Sequence, residues 1–143
     1  MKTNELMIGD LVKWKEQEGF TNEDRKTVMR VKRVLQGEIW IDGRYCSYNE
    51  VLFDPIPLTK QMLEVNGFKY EPNSEEEDGW WCWNRTGVND GNEYINIAFC
   101  DDDVAVYDVE LMKGSNSMTL HCNYVHELQH AIRLCGIDKE IRL

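Results

Sequence analysis

Residues 123–137 read NYVHELQHAIRLCGI, and how they are read decides the C-terminal half of this chain. Inside the stretch lies His126-Glu127-Leu128-Gln129-His130, the H-E-x-x-H spacing of zinc-dependent peptidases. On a helix, histidines four residues apart share a face and bind one metal, and the glutamate between them acts as general base on a zinc-bound water. The same residues also spell an amphipathic terminal helix. Asn123 can cap its start, Gly136 can stop it, and Ile137 then packs back on Ile132. At about 100° per residue, Tyr124, Val125, Leu128, Ala131, Ile132 and Cys135 form one apolar arc. His126 and His130 point roughly opposite it, beside Arg133, towards solvent.

The surroundings favour the helix over the metal. An extended zinc pattern needs Gly at 133 and His at 136, where this chain has Arg133 and Gly136. Only 13 residues follow His130, too few for the second helix that a downstream glutamate ligand requires, and little chain remains to bring Asp138 or Glu140 around. His121 precedes the helix and would have to curl back over its start. The expectation is no catalytic residue, no metal and no cofactor, with His126 and His130 a surface pair. The alternative is a zinc-dependent hydrolase acting through His126, Glu127 and His130.

Upstream of the helix, WWCWNR (80–85), NEYINIAFC (92–100), VAVYDVELM (104–112) and MTLHC (118–122) read as an antiparallel meander. TGVNDGN and CDDDV are its turns. Before it, PIPLTKQMLEVNGF (55–68) spells a short helix at about 60–66. Thr59 can cap it, Leu58 and Leu63 make a hydrophobic staple, Gly67 stops it, and Phe68 folds back on Leu63. The first half reads as short strands: LMIGDLVKW, TVMRVKRVL, GEIWIDG and NEVLFDPIP. KEQEGFTNEDRK is a polar loop between the first two, and the prolines end the series. Such spacing suggests a small SH3-like β-barrel. The predicted fold class is α+β, with two subdomains. Residues 1–58 are the SH3-like barrel; residues 59–143 hold a helix, the strands and a C-terminal helix.

With 143 residues, 42% hydrophobic and 29% charged, the chain is long enough for a real core. No apolar run approaches the roughly 18 residues of a membrane span, and MKTNELMIGD lacks an apolar signal segment. Cys46, Cys82, Cys100, Cys122 and Cys135 are odd in number and lack a C-x-x-C pair, which suits thiols of a reducing cytoplasm. Net charge is -10 and unevenly spread: 9 Lys+Arg against 10 Asp+Glu in residues 1–58, and 7 against 16 in residues 59–143. A chain this acidic disfavours unaided binding to phosphate backbones and permits binding to basic proteins, but it also raises solubility, which is the simpler explanation.

Three landmarks, IGDLVKW, DPIPLT and YVHELQHAIRLCGI, resemble a group of uncharacterised small proteins carried by phages and mobile elements of Bacteroidetes. In that group the last helix resembles Tyr-Val-His-x-Leu-Gln. Tyr124, Val125, His126, Leu128 and Gln129 fit it, whereas Glu127 and His130 belong to this chain. The resemblance implies a cytoplasmic, mobile-element context, no known activity, and an incidental zinc motif.

Trp80, Trp81 and Trp83, beside Tyr94, are candidates for binding a partner, set against a simple core role. On a strand Trp81 and Trp83 share one face and Trp80 takes the other. Glu75-Glu76-Glu77-Asp78 and Asp101-Asp102-Asp103 read as solvated loops without the alternation of a calcium loop. Arg25, Lys26, Arg30, Lys32 and Arg33, with Trp14 and Trp40, offer the barrel a route to nucleic acid, diluted by Glu23, Asp24 and Glu38. No Gly-rich phosphate loop and no G-x-S-x-G is present. The expected function is that of a non-enzymatic accessory protein that binds an unidentified protein partner and no membrane, with nucleic-acid contact by the barrel as a further alternative.

Overall fold

A computed structural model describes residues 6–14, 27–35, 38–41, 44–47, 53–72, 79–84, 93–99 and 107–143. The architecture is α+β, with two antiparallel five-stranded sheets and two helices among the described residues. The chain divides into two compact units, Met1–Ile56 and Pro57–Leu143. Pro57 and Leu58 go with the second unit, since Pro57 bridges Tyr124 and the Leu58 N–H donates to the Asn123 carbonyl at 2.9 Å.

In the first unit, β1 (Leu11–Trp14), β2 (Val28–Leu35), β3 (Glu38–Ile41), β4 (Arg44–Ser47) and β5 (Phe53–Asp54) lie in the order β4-β3-β2-β1-β5. Alternation in β2 turns Met29 and Val31 inward and leaves Lys32 exposed. A register shift between Val31 and Arg33 follows. Leu6, Val12, Met29, Val31, Ile39, Ile41 and Phe53 form the core, and the Trp14 ring lies 5.0 Å from that of Phe53. The turn into β1 depends on Gly9, whose φ of 95° lies where a side chain is strained. Its N–H donates to the Val31 carbonyl at 2.7 Å, while the buried Asp10 carboxylate accepts from the Met7 N–H at 2.7 Å.

In the second unit, α1 (Lys60–Val65) starts where Thr59 Oγ1 accepts from the Met62 N–H. The Phe68 N–H closes its end on the Leu63 carbonyl at 3.0 Å, and Leu58, Leu63 and Phe68 are all buried, as the staple and stop signals require. Next come β6 (Lys69–Pro72), β7 (Gly79–Trp83), β8 (Tyr94–Phe99), β9 (Tyr107–Lys113) and β10 (Asn116–Cys122), paired in sequence order. Helix α2 (Val125–Cys135) lies against β9 and β10. Trp81, Ile95, Ile97, Val109 and Leu111 are buried on one face of the sheet, and Val125, Leu128, Ala131, Ile132 and Cys135 on the helix. At the end of α2 the Ile137 N–H reaches the Ile132 carbonyl at 3.0 Å. Gly136 holds the left-handed conformation (φ 77°) that this stop needs.

Two readings of α2 need correction. The residue at its cap is Tyr124, not Asn123. The Asn123 carbonyl accepts from the Leu58 N–H, and Tyr124, bridged to Pro57, is extended, so the helix starts a residue later. The histidines are also not a solvent-facing pair, for His126 is only 6% exposed, and Gln129 beside it is buried too. The arc read from apolar letters alone is too narrow. Gln129 extends the covered face towards His126, and the Tyr124 ring stacks on the imidazole at 5.8 Å.

Asn66, after α1, was not singled out in the sequence. Its side-chain amide pairs with the Arg142 backbone in both directions (2.7 Å each) and caps Met62 O at 2.8 Å. The segment after α2 is thereby held against α1, with Ile137 and Ile141 buried. No helix among the described residues is long and apolar enough to cross a membrane.

Candidate functional site

Strand alternation gives the second sheet two unlike faces. One carries the apolar rows Tyr70–Trp81–Ile97–Val109–Leu120 and Trp83–Ile95–Leu111–Met118. The other carries Lys69–Cys82–Asn96–Glu110–Thr119 and Glu71–Trp80–Ala98–Asp108–His121. This polar face is where the chemistry gathers. Glu110 Oε1 accepts from the Tyr94 hydroxyl at 3.1 Å, and Oε2 accepts from Asn96 Nδ2 at 3.0 Å. Asp108 pairs with His121 on the same face. Asn96 and Cys82 are buried in the middle of it.

The three tryptophans separate. Trp80 stands on the polar face and is 40% exposed. Trp81 is buried on the apolar face against Tyr70, ring centroids 5.4 Å apart. Close packing there also demands Gly79, since a Cβ at that position would meet the Tyr70 ring at 2.5 Å. Trp83 is half-buried, with the Lys139 ammonium 5.5 Å from its ring centre. That ammonium also donates to the Asn66 carbonyl at 2.6 Å. Burial, helped by Arg142, lowers its pKa below the usual lysine value. Of the three, Trp80 is the most exposed.

The H-E-x-x-H residues do different work. Glu127 Oε2 accepts from the N–H groups of Asn123 (2.7 Å) and Tyr124 (3.1 Å), so the carboxylate closes the open start of α2. The His126 and His130 rings meet edge to face, centroids 5.7 Å apart. Among the described residues, no three His, Cys, Asp or Glu side chains are grouped to hold a metal ion. Cys82, Cys122 and Cys135 are buried thiols. Burial, with Glu127 adding repulsion, pushes Cys122 up to about 12, which makes it a poor nucleophile. Burial also raises Tyr107.

In the first unit Trp40 is 37% exposed and stands opposite Arg33 across β2 and β3. Trp14 is half-buried against Phe53. Arg25, Lys26, both acidic runs and the turns TGVNDGN and CDDDV lie outside the described residues.

The polar row at Glu110 escaped the sequence reading. Its signal was the alternation Tyr94-x-Asn96 and Asp108-x-Glu110, but only strand register brings those positions together. Comparison with protein families, curated proteins and solved structures finds no match for this chain.

Proposed function

We propose that this is a non-enzymatic accessory protein of a phage or mobile element that acts in the cytoplasm by binding another protein. The binding surface is the polar face of the second sheet. The observation that carries the reading is Trp80, a large aromatic ring 40% exposed between Glu71 and Ala98 on that face. Exposed tryptophans flanked by polar groups are favoured anchors of protein interfaces. The acidic balance after residue 58 favours a basic partner. The mobile-element context rests on the IGDLVKW, DPIPLT and YVHELQ resemblance.

Affinity capture with the full chain, from lysate of the cell that encodes it, tests the reading. A partner held by the wild type should be lost with Trp80→Ala and kept with Leu134→Ala, an exposed position on α2. Identical recovery by both variants removes the reading.

The first unit is read as an SH3-like barrel. Its support is the order β4-β3-β2-β1-β5, in which the fifth strand returns beside the first. A second reading, nucleic-acid contact by this unit, is favoured by exposed Trp40 opposite Arg33, with Lys32 exposed nearby. It predicts salt-sensitive binding that Trp40→Ala and Arg33→Ala both weaken. No binding by the full chain at low salt eliminates it.

A further inference from the structure

Asn96 and Glu110 face each other across β8 and β9 near the centre of the polar face. The bond from Asn96 Nδ2 to Glu110 Oε2 fixes the amide, because a carboxylate cannot donate to an amide oxygen. Asn96 Oδ1 is therefore an acceptor with no available flip. It is buried, in a residue 5% exposed, and has no hydrogen-bond partner among the described residues. A buried acceptor left unsatisfied costs stability, and such atoms in folded proteins call for an explanation. Beside it, each Glu110 oxygen accepts one bond and retains further acceptor capacity. The centre of the face thus holds a carboxylate and an unmatched amide oxygen on neighbouring strands.

What complements this arrangement is a cation with several directed N–H donors. A guanidinium carries five in a rigid plane, whereas an ammonium gathers three at one point. Trp80 lies one row away, opposite Ala98, two residues along β8 from Asn96. That diagonal is roughly 7–8 Å, within reach of a large ring. Its exposed surface offers the aromatic face on which a guanidinium stacks. Glu71 and Asp108 share the Trp80 row and add negative charge, and Lys69 stands off at the β6 edge, two strands from Asn96.

We propose that this centre is an arginine socket, in which an arginine side chain from a basic protein segment bonds Glu110 and Asn96 Oδ1 and lies on Trp80. The proposal rests on the protein-binding reading above and names the chemistry of its partner. Because Asn96 Oδ1 is enclosed, binding includes a local shift of the side chains around it.

The test is an NMR titration of the full ¹⁵N-labelled chain with two peptides of equal charge, one arginine-rich and one lysine-rich. The arginine peptide should move the Asn96 side-chain amide and Trp80 indole signals and bind about tenfold tighter than the lysine peptide. Glu110→Gln should weaken it about tenfold while the spectrum of the rest of the chain is unchanged. If Glu110→Gln does not fold, Trp80→Ala at its exposed site must show the loss. Equal affinity for the two peptides, still Asn96 and Trp80 signals, or full affinity in these variants overturns the socket. A captured partner that depends on Trp80 but survives Glu110→Gln sinks the socket and leaves the protein-binding reading standing. Capture and arginine binding both indifferent to Trp80 sink both.

Discussion

Glu127 and Glu110 are both half-buried glutamates that accept two hydrogen bonds, yet they contrast in visibility and role. Glu127 sits in a five-letter pattern that suggests catalysis, and its carboxylate is engaged by backbone at a helix start. Glu110 sits in an unremarkable strand, and its partners are side chains of the neighbouring strand on the polar face. Spacing along a helix is therefore ambiguous. A glutamate three residues after the cap is the spacing of a capping box as well as the middle of H-E-x-x-H.

That contrast breaks most visibly at Leu128. If the motif is a docked helix, its apolar letter outweighs its ionisable ones. Leu128→Ala, at a fully buried site, should cost about 2–5 kcal/mol in chemical denaturation. A zinc site predicts the reverse order, with the histidines dominant.

Next comes Cys122. Burial first and Glu127 second push its pKa in the folded protein up to about 12, above the ordinary thiol value of 9.0. The neutral thiol is therefore favoured by the fold. Its contribution is fully present below pH 9 and is lost as pH rises towards 12. Over that window wild-type stability should fall by up to about 1.4 kcal/mol per pH unit from this group. Denaturation midpoints measured across alkaline pH should show that slope reduced in Cys122→Ala.

Glu127→Ala should cost about 0.5–2 kcal/mol, the range for a lost helix cap. It should also bring the Cys122 titration down, because one of its two causes is removed. An unchanged thiol titration, followed by absorbance, would separate the two residues and weaken the structural account of Glu127.

The smallest effects sharpen the other side. Glu110→Gln keeps one acceptor and should cost about 1 kcal/mol or less, although arginine binding falls. His130→Ala, half-buried at the margin of α2, should also change stability by less than about 1 kcal/mol. Stoichiometric zinc in purified, tag-free protein that disappears on this substitution would restore the hydrolase alternative.

Local signals were legible in the sequence wherever cause and effect lie within one segment. Thr59, Leu58, Leu63 and Phe68 mark the limits of α1, and Gly136 with Ile137 marks the end of α2. Period-two alternation likewise sorts Trp81 and Trp83 from Trp80, and Ile95 and Ile97 from Tyr94 and Asn96. Asn123 shows where such reasoning stops. It is a good capping residue by type, but its carbonyl pairs with Leu58, more than sixty positions earlier in the chain, and the cap falls on Tyr124.

Element types, most helix limits and the two-faced pattern of each strand could be read from the sequence, because backbone conformation and side-chain period are local properties. Tertiary structure alone decided that α2 is covered as far as His126, that Glu127 turns to the backbone, and that Tyr94, Asn96 and Glu110 meet. Asn96 and Glu110 are 14 residues apart. Only pairing of β8 with β9 in one register makes them neighbours, and a slip of one residue would turn Glu110 to the opposite face.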